Sequence, residues 1–403
     1  TYTNTGAQAV RGLQFGLTAP TGWTVAATTP VSVPGVAPGQ QVTASWNVTI
    51  PSTAIPGTQT ELDATTEFTG AAGPYSEGAV NAVTVTSGAT PEQATPVITG
   101  TSPAAGSLQV LLNNPSDTPT TVTGINWKLG DISGTQAVSA TIAAGSSTTV
   151  AVPVTGISFA TGYPLTVTSV ISGGLSSEAL TGHVSFLPVV YNSLGSSWTV
   201  AQVQNGPYVD LSTTADGLWQ SLDNSLPYGG SSYLSGKVWF DWDANNLYMT
   251  AEITESAFSE LYTGGNIWQG DSLQVAATSG VPGSSTSAST ASVDGHYEYG
   301  AALTPDGSQL YRWTSPSQGA GQVTNASVNV TRDDTTHTTL YEVAIPWSDL
   351  TSVQPAPNTV FSVSAMLNNV DSGVRNGYLE WGGGIGDNKN VAEFNMAQLM
   401  PAS

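Results

Sequence analysis

The sequence predicts an all-β protein, in which two Ig-like β-sandwiches are followed by a larger, jelly-roll-like β-sandwich. Short β-branched or alternating runs recur along the chain and are separated by Gly, Pro, Asn and Asp, which is the pattern of strands and turns. No amphipathic helix of useful length interrupts them. The 403 residues provide enough material for several hydrophobic cores.

The composition excludes several classes of partner. Seven Lys and Arg stand against 28 Asp and Glu, so the formal net charge is −21. Such a surface repels phosphate backbones, and no apolar run approaches the length of a membrane span; we expect neither a nucleic-acid partner nor membrane insertion. The chain has no Cys, which excludes disulfides and thiolate chemistry. Few ionisable groups and many hydroxyls favour a secreted or cell-surface protein.

The first predicted module covers residues 1–92. Strands of roughly six residues separated by Pro-Gly turns are typical of a sandwich. The segments "PTGW" at 20–23, "APGQ" at 37–40 and "WNVTIP" at 46–51 resemble the Ig-like domain that accompanies α-galactosidases and other secreted glycosidases.

The second predicted module covers residues 93–189 and also reads as an Ig-like sandwich. The segment "GATPEQATP" at 88–96 is a linker by composition. Across both modules the bases are Arg11 and Lys128 alone, and no group of ionisable residues suits catalysis. These two modules are therefore interpreted as spacers that hold other modules apart.

The third predicted module, residues 190–403, is rich in tryptophan. Aromatic enrichment without basic residues indicates sugar rather than nucleic acid, because the apolar faces of sugar rings stack on aromatic rings and their polar rims need hydrogen-bonding partners. The module holds eight of the eleven tryptophans: Trp198, Trp219, Trp239, Trp242, Trp268, Trp313, Trp347 and Trp381.

Six segments follow one another in a fixed order in this module. They are "KVWFDWDANNLYMTAEITESAF" (237–258), "NIWQGDSLQVAA" (266–277), "YEYGAALTPDG" (297–307), "YEVAIPWSDL" (341–350), "PNTVFSVSAMLNNVD" (357–371) and "NGYLEW" (376–381). In this order the segments resemble a family 9 carbohydrate-binding module. The resemblance implies a β-sandwich that grips a sugar unit of an oligosaccharide or polysaccharide between two parallel tryptophans.

The resemblance also implies the site residues. The two platforms are Trp268, in "WQGDSLQ", and Trp381, at the end of "NGYLEW". Gln274 stands where the family has an acidic hydrogen-bonding residue, and an amide lacks charge-assisted strength. Asp271 is either a ligand or a cap or turn residue.

Four further polar residues are implied around the platforms. Glu298 aligns with a sugar-contacting Arg of related modules, and it either accepts hydrogen bonds from sugar hydroxyls or pairs with Arg375. Asn368 and Asn369 match the polar end of the strand near the second tryptophan, although both residue types are also ordinary turn formers.

Family members bind structural calcium through loop oxygens, and the resemblance implies the same cofactor here. The nearest matches to the ligands are Asp216 and Glu255. Calcium suits such positions because hard cations take carboxylate and carbonyl oxygens.

The segment "WGGGIGDNKN" (381–390) lacks the helix start and βαβ unit of a phosphate-binding loop. Its four glycines are interpreted as keeping the space beside Trp381 clear for a sugar ring. Asp387, Asn388 and Asn390 would then offer hydrogen bonds at the rim.

No catalytic motif appears, so the chain is predicted to be non-catalytic. The leading hypothesis is the carbohydrate-binding and spacer portion of an exported multimodular carbohydrate-active enzyme, with a catalytic domain N-terminal to it. An alternative is a structural or adhesive surface protein with a degenerate sugar-binding module. A third hypothesis is a haem-binding electron-transfer domain, for which no persuasive pair of axial Met or His ligands is evident.

Overall fold

The computed structural model describes residues 1–195, 198–212, 219–222, 230, 232–280, 296–371, 373–386 and 389–402. Within these ranges the regular structure is almost entirely β-strand, which confirms the predicted fold class. The helices described are short 3₁₀ helices at Val200–Gln202, Gly264–Gln269 and Val391–Glu393. None of the helices in the described ranges has the length and apolar character needed to cross a bilayer.

The first module is a small sandwich. A four-stranded sheet has the order β4-β2-β7-β8, and β1 pairs with β5 while β3 pairs with β6. Its core cluster is limited to Tyr2, Val10, Leu13 and Val36. The strands are β1 (Tyr2–Thr3), β2 (Val10–Thr18), β3 (Thr24–Ala27), β4 (Ser32–Val36), β5 (Gln41–Val42), β6 (Trp46–Thr49), β7 (Gln59–Gly70) and β8 (Gly73–Thr84).

The second module is a sandwich of two sheets, with orders β13-β10-β9 and β12-β11-β14-β15. The segment 88–96 is not a linker, because β9 begins at Thr90 and pairs with β10, and Ala89 and Ala94 are fully buried. The strands are β9 (Thr90–Thr101), β10 (Ala104–Asn114), β11 (Thr120–Leu129), β12 (Ile132–Ile142), β13 (Ser146–Thr155), β14 (Gly162–Ile171) and β15 (Leu180–Ser185).

The third module contains the remaining strands, which form one curled sheet. They are β16 (Leu187–Tyr191), β17 (Val209–Asp210), β18 (Trp219–Ser221), β19 (Leu234–Trp242), β20 (Asn246–Glu255), β21 (Ser272–Thr278), β22 (Tyr297–Thr304), β23 (Gly307–Thr314), β24 (Gly321–Gln322), β25 (Ser327–Asp333), β26 (Thr338–Pro346), β27 (Val360–Asp371), β28 (Val374–Trp381) and β29 (Asn395–Leu399).

This sheet folds into two layers that share one core. One layer, which we call the site sheet, contains β23, β22, β21, β27 and β28; the other contains β19, β20, β26 and β25. Strand β16 joins them, since it pairs in parallel with both β29 and β19. Large apolar side chains from both layers, such as Phe240 and Tyr299, meet in the same buried cluster, as in other sandwiches.

The alternation of side chains along the strands of the site sheet decides which of them can reach a ligand. In β21, Leu273 and Val275 belong to the core between the layers. Gln274 lies between them in sequence and therefore points to the opposite, outer face. The outer face of the site sheet is thus where a binding site can form.

The second and third modules pack directly on each other. The side chain of Met396, in β29, belongs to the core cluster of the second module. Ser185 Oγ donates to Met396 O at 2.7 Å, and Met396 N donates to the same Oγ at 2.6 Å. The Ile98 amide donates to Gln398 Oε1 at 2.7 Å. A spacer that merely separates its neighbours would not share its core, so the spacer interpretation fails for the second module.

Candidate functional site

A cavity of about 370 Å³ opens on the outer face of the site sheet. Its volume lies in the range of about 300–1,000 Å³ that is usual for small-molecule sites. Strands of the site sheet, the 3₁₀ helix Gly264–Gln269 and the segment after β28 all contribute to it. The lining residues are Gly265, Trp268, Gln274, Glu298, Trp313, Thr314, Met366, Arg375, Ile385, Gly386 and Lys389.

The floor of the cavity combines polar and apolar side chains from three adjacent strands. Gln274 in β21, Glu298 in β22 and Met366 in β27 line it, and each is nearly fully buried. Strand alternation brings these residues together, because Gln274 pairs with Met366 across β21 and β27, while Glu298 lies opposite Ala276. An amide and a carboxylate therefore lie beside an apolar patch, which suits a ligand with both kinds of surface.

Two tryptophans stand at the edge of the cavity. Trp268 is carried by the 3₁₀ helix and is 41% exposed. Trp313, in β23, is half-buried, and its indole Nε1 donates to Gly265 O at 2.8 Å. Its ring lies directly over Gly300, where a Cβ atom would come within 2.2 Å of it. The helix that presents Trp268 and the second indole are thus fixed to each other.

Arg375 lies between two aromatic rings. Its guanidinium carbon is 5.5 Å from the centre of the Trp268 ring and 5.0 Å from that of Tyr378, and both contacts are cation–π interactions. Arg375 Nε donates to Asn368 Oδ1 at 2.8 Å, and Asn368 Nδ2 donates to Ser272 Oγ at 2.9 Å. Burial lowers the pKa of Arg375 from its usual value. The side chain is therefore held in one orientation beside the cavity.

Glu298 pairs with Lys389 rather than with Arg375. Lys389 Nζ donates to Glu298 Oε1 at 2.5 Å, and the imidazole Nε2 of His296 lies 3.7 Å from Oε2. Burial alone would raise the pKa of Glu298, but its interactions with His296 and Lys389 outweigh burial and lower it. The carboxylate is consequently ionised, and it can still accept hydrogen bonds at the cavity floor.

The glycine loop, which we define as residues 382–390, approaches this floor but not Trp381. Gly382, Gly383 and Gly384 all have positive φ, which a residue with a side chain adopts only with strain. Gly386 lies against Tyr378, because a Cβ atom there would be 2.2 Å from the phenol ring. The glycines therefore allow the chain to turn and to place Ile385, Gly386 and Lys389 beside the cavity. Asp387 and Asn388 lie outside the described residues.

Trp381 does not belong to the site, and its prediction as a platform is wrong. It is 1% exposed, belongs to the core between the layers, and donates from Nε1 to Ala160 O at 2.7 Å. The reason is strand parity: Trp381 pairs with Ala365 and shares a face with Leu379, both of which are core residues. Tyr378, on the opposite face, supports Arg375 instead.

The other predicted polar residues support the site or lie away from the cavity. Asp271 is fully buried and accepts from the Ser259 and Val370 amides, so it is a structural residue rather than a ligand. Asn368 orients Arg375 by accepting a hydrogen bond from its Nε. Asn369 donates to Tyr233 Oη and to Asn376 Oδ1 and does not line the cavity.

The predicted calcium ligands do not form a metal site in the part of the chain that the structure describes. Asp216 lies outside it. Glu255 Oε1 accepts from Arg332 at 3.2 Å and from Thr339 Oγ1, so a guanidinium supplies the positive charge there. Within the described ranges, no group of three His, Cys, Asp or Glu side chains is arranged to hold a metal ion. Calcium binding stays a prediction.

Trp313 and Lys389 line the cavity but are not among the site residues predicted from the sequence. The sequence contains a signal for each. Tyr311 and Trp313 are two residues apart in a predicted strand and so share one of its faces, and Lys389 is one of only seven Lys and Arg residues. Their proximity to Trp268 and Glu298, however, depends on contacts made far along the chain.

Comparisons with known proteins find the same two families that the sequence resembles. Residues 212–400 match the family model described as carbohydrate family 9 binding domain-like, and residues 1–67 match that of the NPCBM-associated, NEW3 domain of alpha-galactosidase. A search of curated proteins found no match.

Among solved structures, the chain is similar to a family 9 carbohydrate-binding module from Caldicellulosiruptor kristjanssonii in complexes with cellotriose and with glucose. Identity is 14% in both. The alignments cover 54% of this chain and 95% or 97% of the other, with TM-scores of 0.40 and 0.35. The two family models thus match most of the third module and most of the first module.

Proposed function

We propose that the cavity holds one sugar unit of an oligosaccharide or polysaccharide. The observation that carries this proposal is a 41% exposed tryptophan, Trp268, in the same cavity as a buried amide and a buried carboxylate. A sugar ring has an apolar face that stacks on an indole and a rim of hydroxyls that pairs with such groups. Gln274 and Glu298 supply the hydrogen bonds in this proposal.

The second aromatic contact in this proposal is Trp313 rather than Trp381. Trp313 lines the cavity, and its indole is bonded to the helix that carries Trp268. Trp381 is enclosed in the core and offers no free ring face. A sugar would thus contact two indoles on one side of the site, instead of lying between residues 268 and 381.

Trp268→Ala tests the site directly. We expect glycan affinity to fall by at least about two- to tenfold, because a stacked aromatic contact contributes roughly 0.5–1.5 kcal/mol beyond the area it buries. Isothermal titration against neutral oligosaccharides, after a glycan array has identified a ligand, measures the change. Trp23→Ala is the control, since Trp23 is a half-buried tryptophan of the first module. Equal affinities for Trp268→Ala and wild type would refute the assignment.

For the whole chain, we propose a non-catalytic role within an exported, multimodular carbohydrate-active enzyme. The first module supports this, because the description of its family names α-galactosidase. A sugar-binding module keeps an attached catalytic domain near its glycan by raising the effective concentration. The coding sequence upstream of Thr1 provides the test: a glycoside hydrolase there supports the role, whereas an adhesin or wall-anchor array contradicts it.

The burial of Trp381 favours one alternative, a structural or adhesive protein whose sugar site has degenerated. The family resemblance implies two parallel tryptophans, and here one of them is a core residue. A glycan array that gives no hit, both with calcium and without it, would support this alternative over sugar binding.

A further inference from the structure

The charge of this cavity contrasts with the rest of the chain. Only seven Lys and Arg are present against 28 Asp and Glu, yet two of the seven, Arg375 and Lys389, line this one cavity. The other bases lie elsewhere: Arg11, Lys128, Lys237, Arg312 and Arg332. Two of the few positively charged side chains of a strongly acidic protein lie in its candidate site. This arrangement indicates a ligand that interacts with positive charge.

The two cations differ in whether the protein already neutralises them. Lys389 forms an ion pair with Glu298 at 2.5 Å. Arg375 is in none of the ion pairs among the described residues, and the hydrogen bond it makes there comes from Nε, to the neutral amide of Asn368. Arg312 and Arg332, by comparison, each pair with a carboxylate within 3.2 Å.

One acidic residue, Glu380, acts on Arg375 without forming an ion pair with it among the described residues. Glu380, which is also in β28, attracts Arg375 electrostatically. Its Oε1, however, accepts from the Ile385 and Gly386 amides at 2.5 Å and 3.2 Å, which ties that carboxylate to the glycine loop. No ion pair joins Glu380 to Arg375 in the described part of the chain.

The surroundings of Arg375 leave its terminal nitrogens for a ligand. Trp268 and Tyr378 contact the guanidinium through their rings, and Nε is used by Asn368. A guanidinium presents a planar set of donors that matches a carboxylate, and a charge-assisted hydrogen bond is stronger than one to a neutral hydroxyl. The most complementary ligand group beside Trp268 is therefore a carboxylate on a sugar ring.

We propose that the preferred ligand is an acidic sugar, a uronic acid unit of a glycan, whose carboxylate pairs with Arg375 while its ring stacks on Trp268. This inference rests on the proposed sugar-binding function and adds the chemical class of the sugar. Glu298 is neutralised by Lys389 and so does not repel the ligand from the cavity floor.

Matched sugar pairs test the proposal in the full chain. Glucose and glucuronate, galactose and galacturonate, and mannose and mannuronate differ only at C6, so titration of each pair isolates the carboxylate. We expect the uronate of the preferred pair to bind about tenfold more tightly at low salt, given the greater strength of charge-assisted hydrogen bonds. The preference should shrink as salt screens the interaction.

Substitutions of Arg375 distinguish the effect of its charge on ligand preference from the effect of its packing. Arg375→Gln should abolish the preference, and Arg375→Lys should keep part of it. Lys237→Gln removes one positive charge outside the cavity, where Lys237 contacts Tyr208 instead, and should leave the preference intact. Thermal unfolding of each variant checks that it is folded. The salt dependence of the uronate preference is measured on the wild type, so it tests the proposal even if a variant fails to fold.

The outcomes distinguish this inference from the proposed function. If neutral sugars bind as tightly as their uronates, the acidic-sugar proposal is overturned while sugar binding stands. If no member of any pair binds, the proposed function is overturned as well. A uronate preference that survives Arg375→Gln in a folded variant overturns the role of Arg375.

Discussion

At the scale of single residues, Trp268 and Trp381 show how one side-chain type takes two roles. Trp268 is 41% exposed and lies in a short helix beside the cavity, whereas Trp381 is 1% exposed and bonded to Ala160. The first can exchange a water-covered ring face for a sugar ring. The second stabilises the junction between two modules.

This difference predicts opposite effects on stability. We expect Trp381→Ala to lower the free energy of unfolding by about 3–5 kcal/mol, as for other buried aromatic residues. Trp268→Ala should change it by less than about 1 kcal/mol, because its ring is substantially exposed. Denaturant titration measures both. A larger loss for Trp268→Ala than for Trp381→Ala would contradict the two placements.

The residues also show what the sequence can and cannot predict. Trp268, Gln274 and Glu298 were assigned to the site from the family resemblance, and all three line one cavity. The resemblance of "NGYLEW" to the family motif predicts the type of residue at Trp381 but not the face of the strand on which it lies. Leu379, two residues earlier, marks the core face, and that alternation was present in the sequence.

At the scale of elements, the glycine loop and β28 support the site together. Ile385, Tyr378 and Phe394 belong to a small apolar cluster on the outer face, and this cluster seats the loop. Tyr378 in turn contacts the Arg375 guanidinium. The position of the loop therefore depends on Gly386, which has no side chain to collide with the ring of Tyr378.

Gly386→Ala tests this support. A Cβ atom would come within 2.2 Å of the Tyr378 ring, so the ring or the loop must shift, and overpacking of this kind costs about 1–3 kcal/mol. We expect weaker ligand binding by titration together with a lower unfolding temperature. Gly319→Ala is the matched control, because no atom of the described part of the chain lies within 4 Å of its added Cβ. Equal behaviour of the two variants would argue against the packing role.

A second feature at this scale is a group of buried carboxylates, Glu255, Glu260 and Asp271. Burial raises the pKa of Glu260 to about 8, and burial together with the nearby Glu255 raises that of Asp271 to about 8. Among the described residues, Glu260 Oε2 has no hydrogen-bond partner. In the unfolded chain both pKa values return to about 4.

These shifts predict greater stability in mild acid. A raised folded-state pKa contributes stability that is complete below about pH 4 and is lost as the pH rises to about 8. Glu298 acts oppositely, because its pKa is lowered and its contribution is lost in acid. We expect a higher unfolding temperature at pH 5 than at pH 8, measured by calorimetry with a chelator present.

Glu260→Gln should reduce this difference, since it removes one of the raised groups. A wild-type chain as stable at pH 8 as at pH 5 would contradict the role of these carboxylates. Adding calcium at pH 8 tests the cofactor prediction in the same series: a calcium-dependent rise in unfolding temperature supports it, and no change counts against it.

At the scale of the whole molecule, the second and third modules share a core although the sequence predicted a spacer. Met396 enters the core of the second module, and Ser185 bonds its backbone across 211 positions of sequence. Local patterns predicted the fold class and the module types, because alternation and turns are local properties. They could not show this contact, which depends on the placement of two strands from different modules.

The shared core predicts coupled unfolding. In calorimetry of the intact chain, we expect the second and third modules to unfold in one transition. Met396→Ala should move that transition to lower temperature, because it leaves a cavity in the second module's core. The first module, with its own small core, should be unaffected. Separate transitions for the second and third modules, or no effect of Met396→Ala, would contradict the shared core.

The central claim is that the sugar stacks on Trp268 at the outer face of the site sheet. The most direct test follows the indole N–H resonances of the eleven tryptophans by NMR while a glycan that binds the protein is added. Single Trp→Phe variants assign each resonance. We expect the Trp268 resonance to shift most, that of Trp313 to shift with it, and that of Trp381 to remain unchanged. A shift of Trp381 with no change at Trp268 would contradict the account.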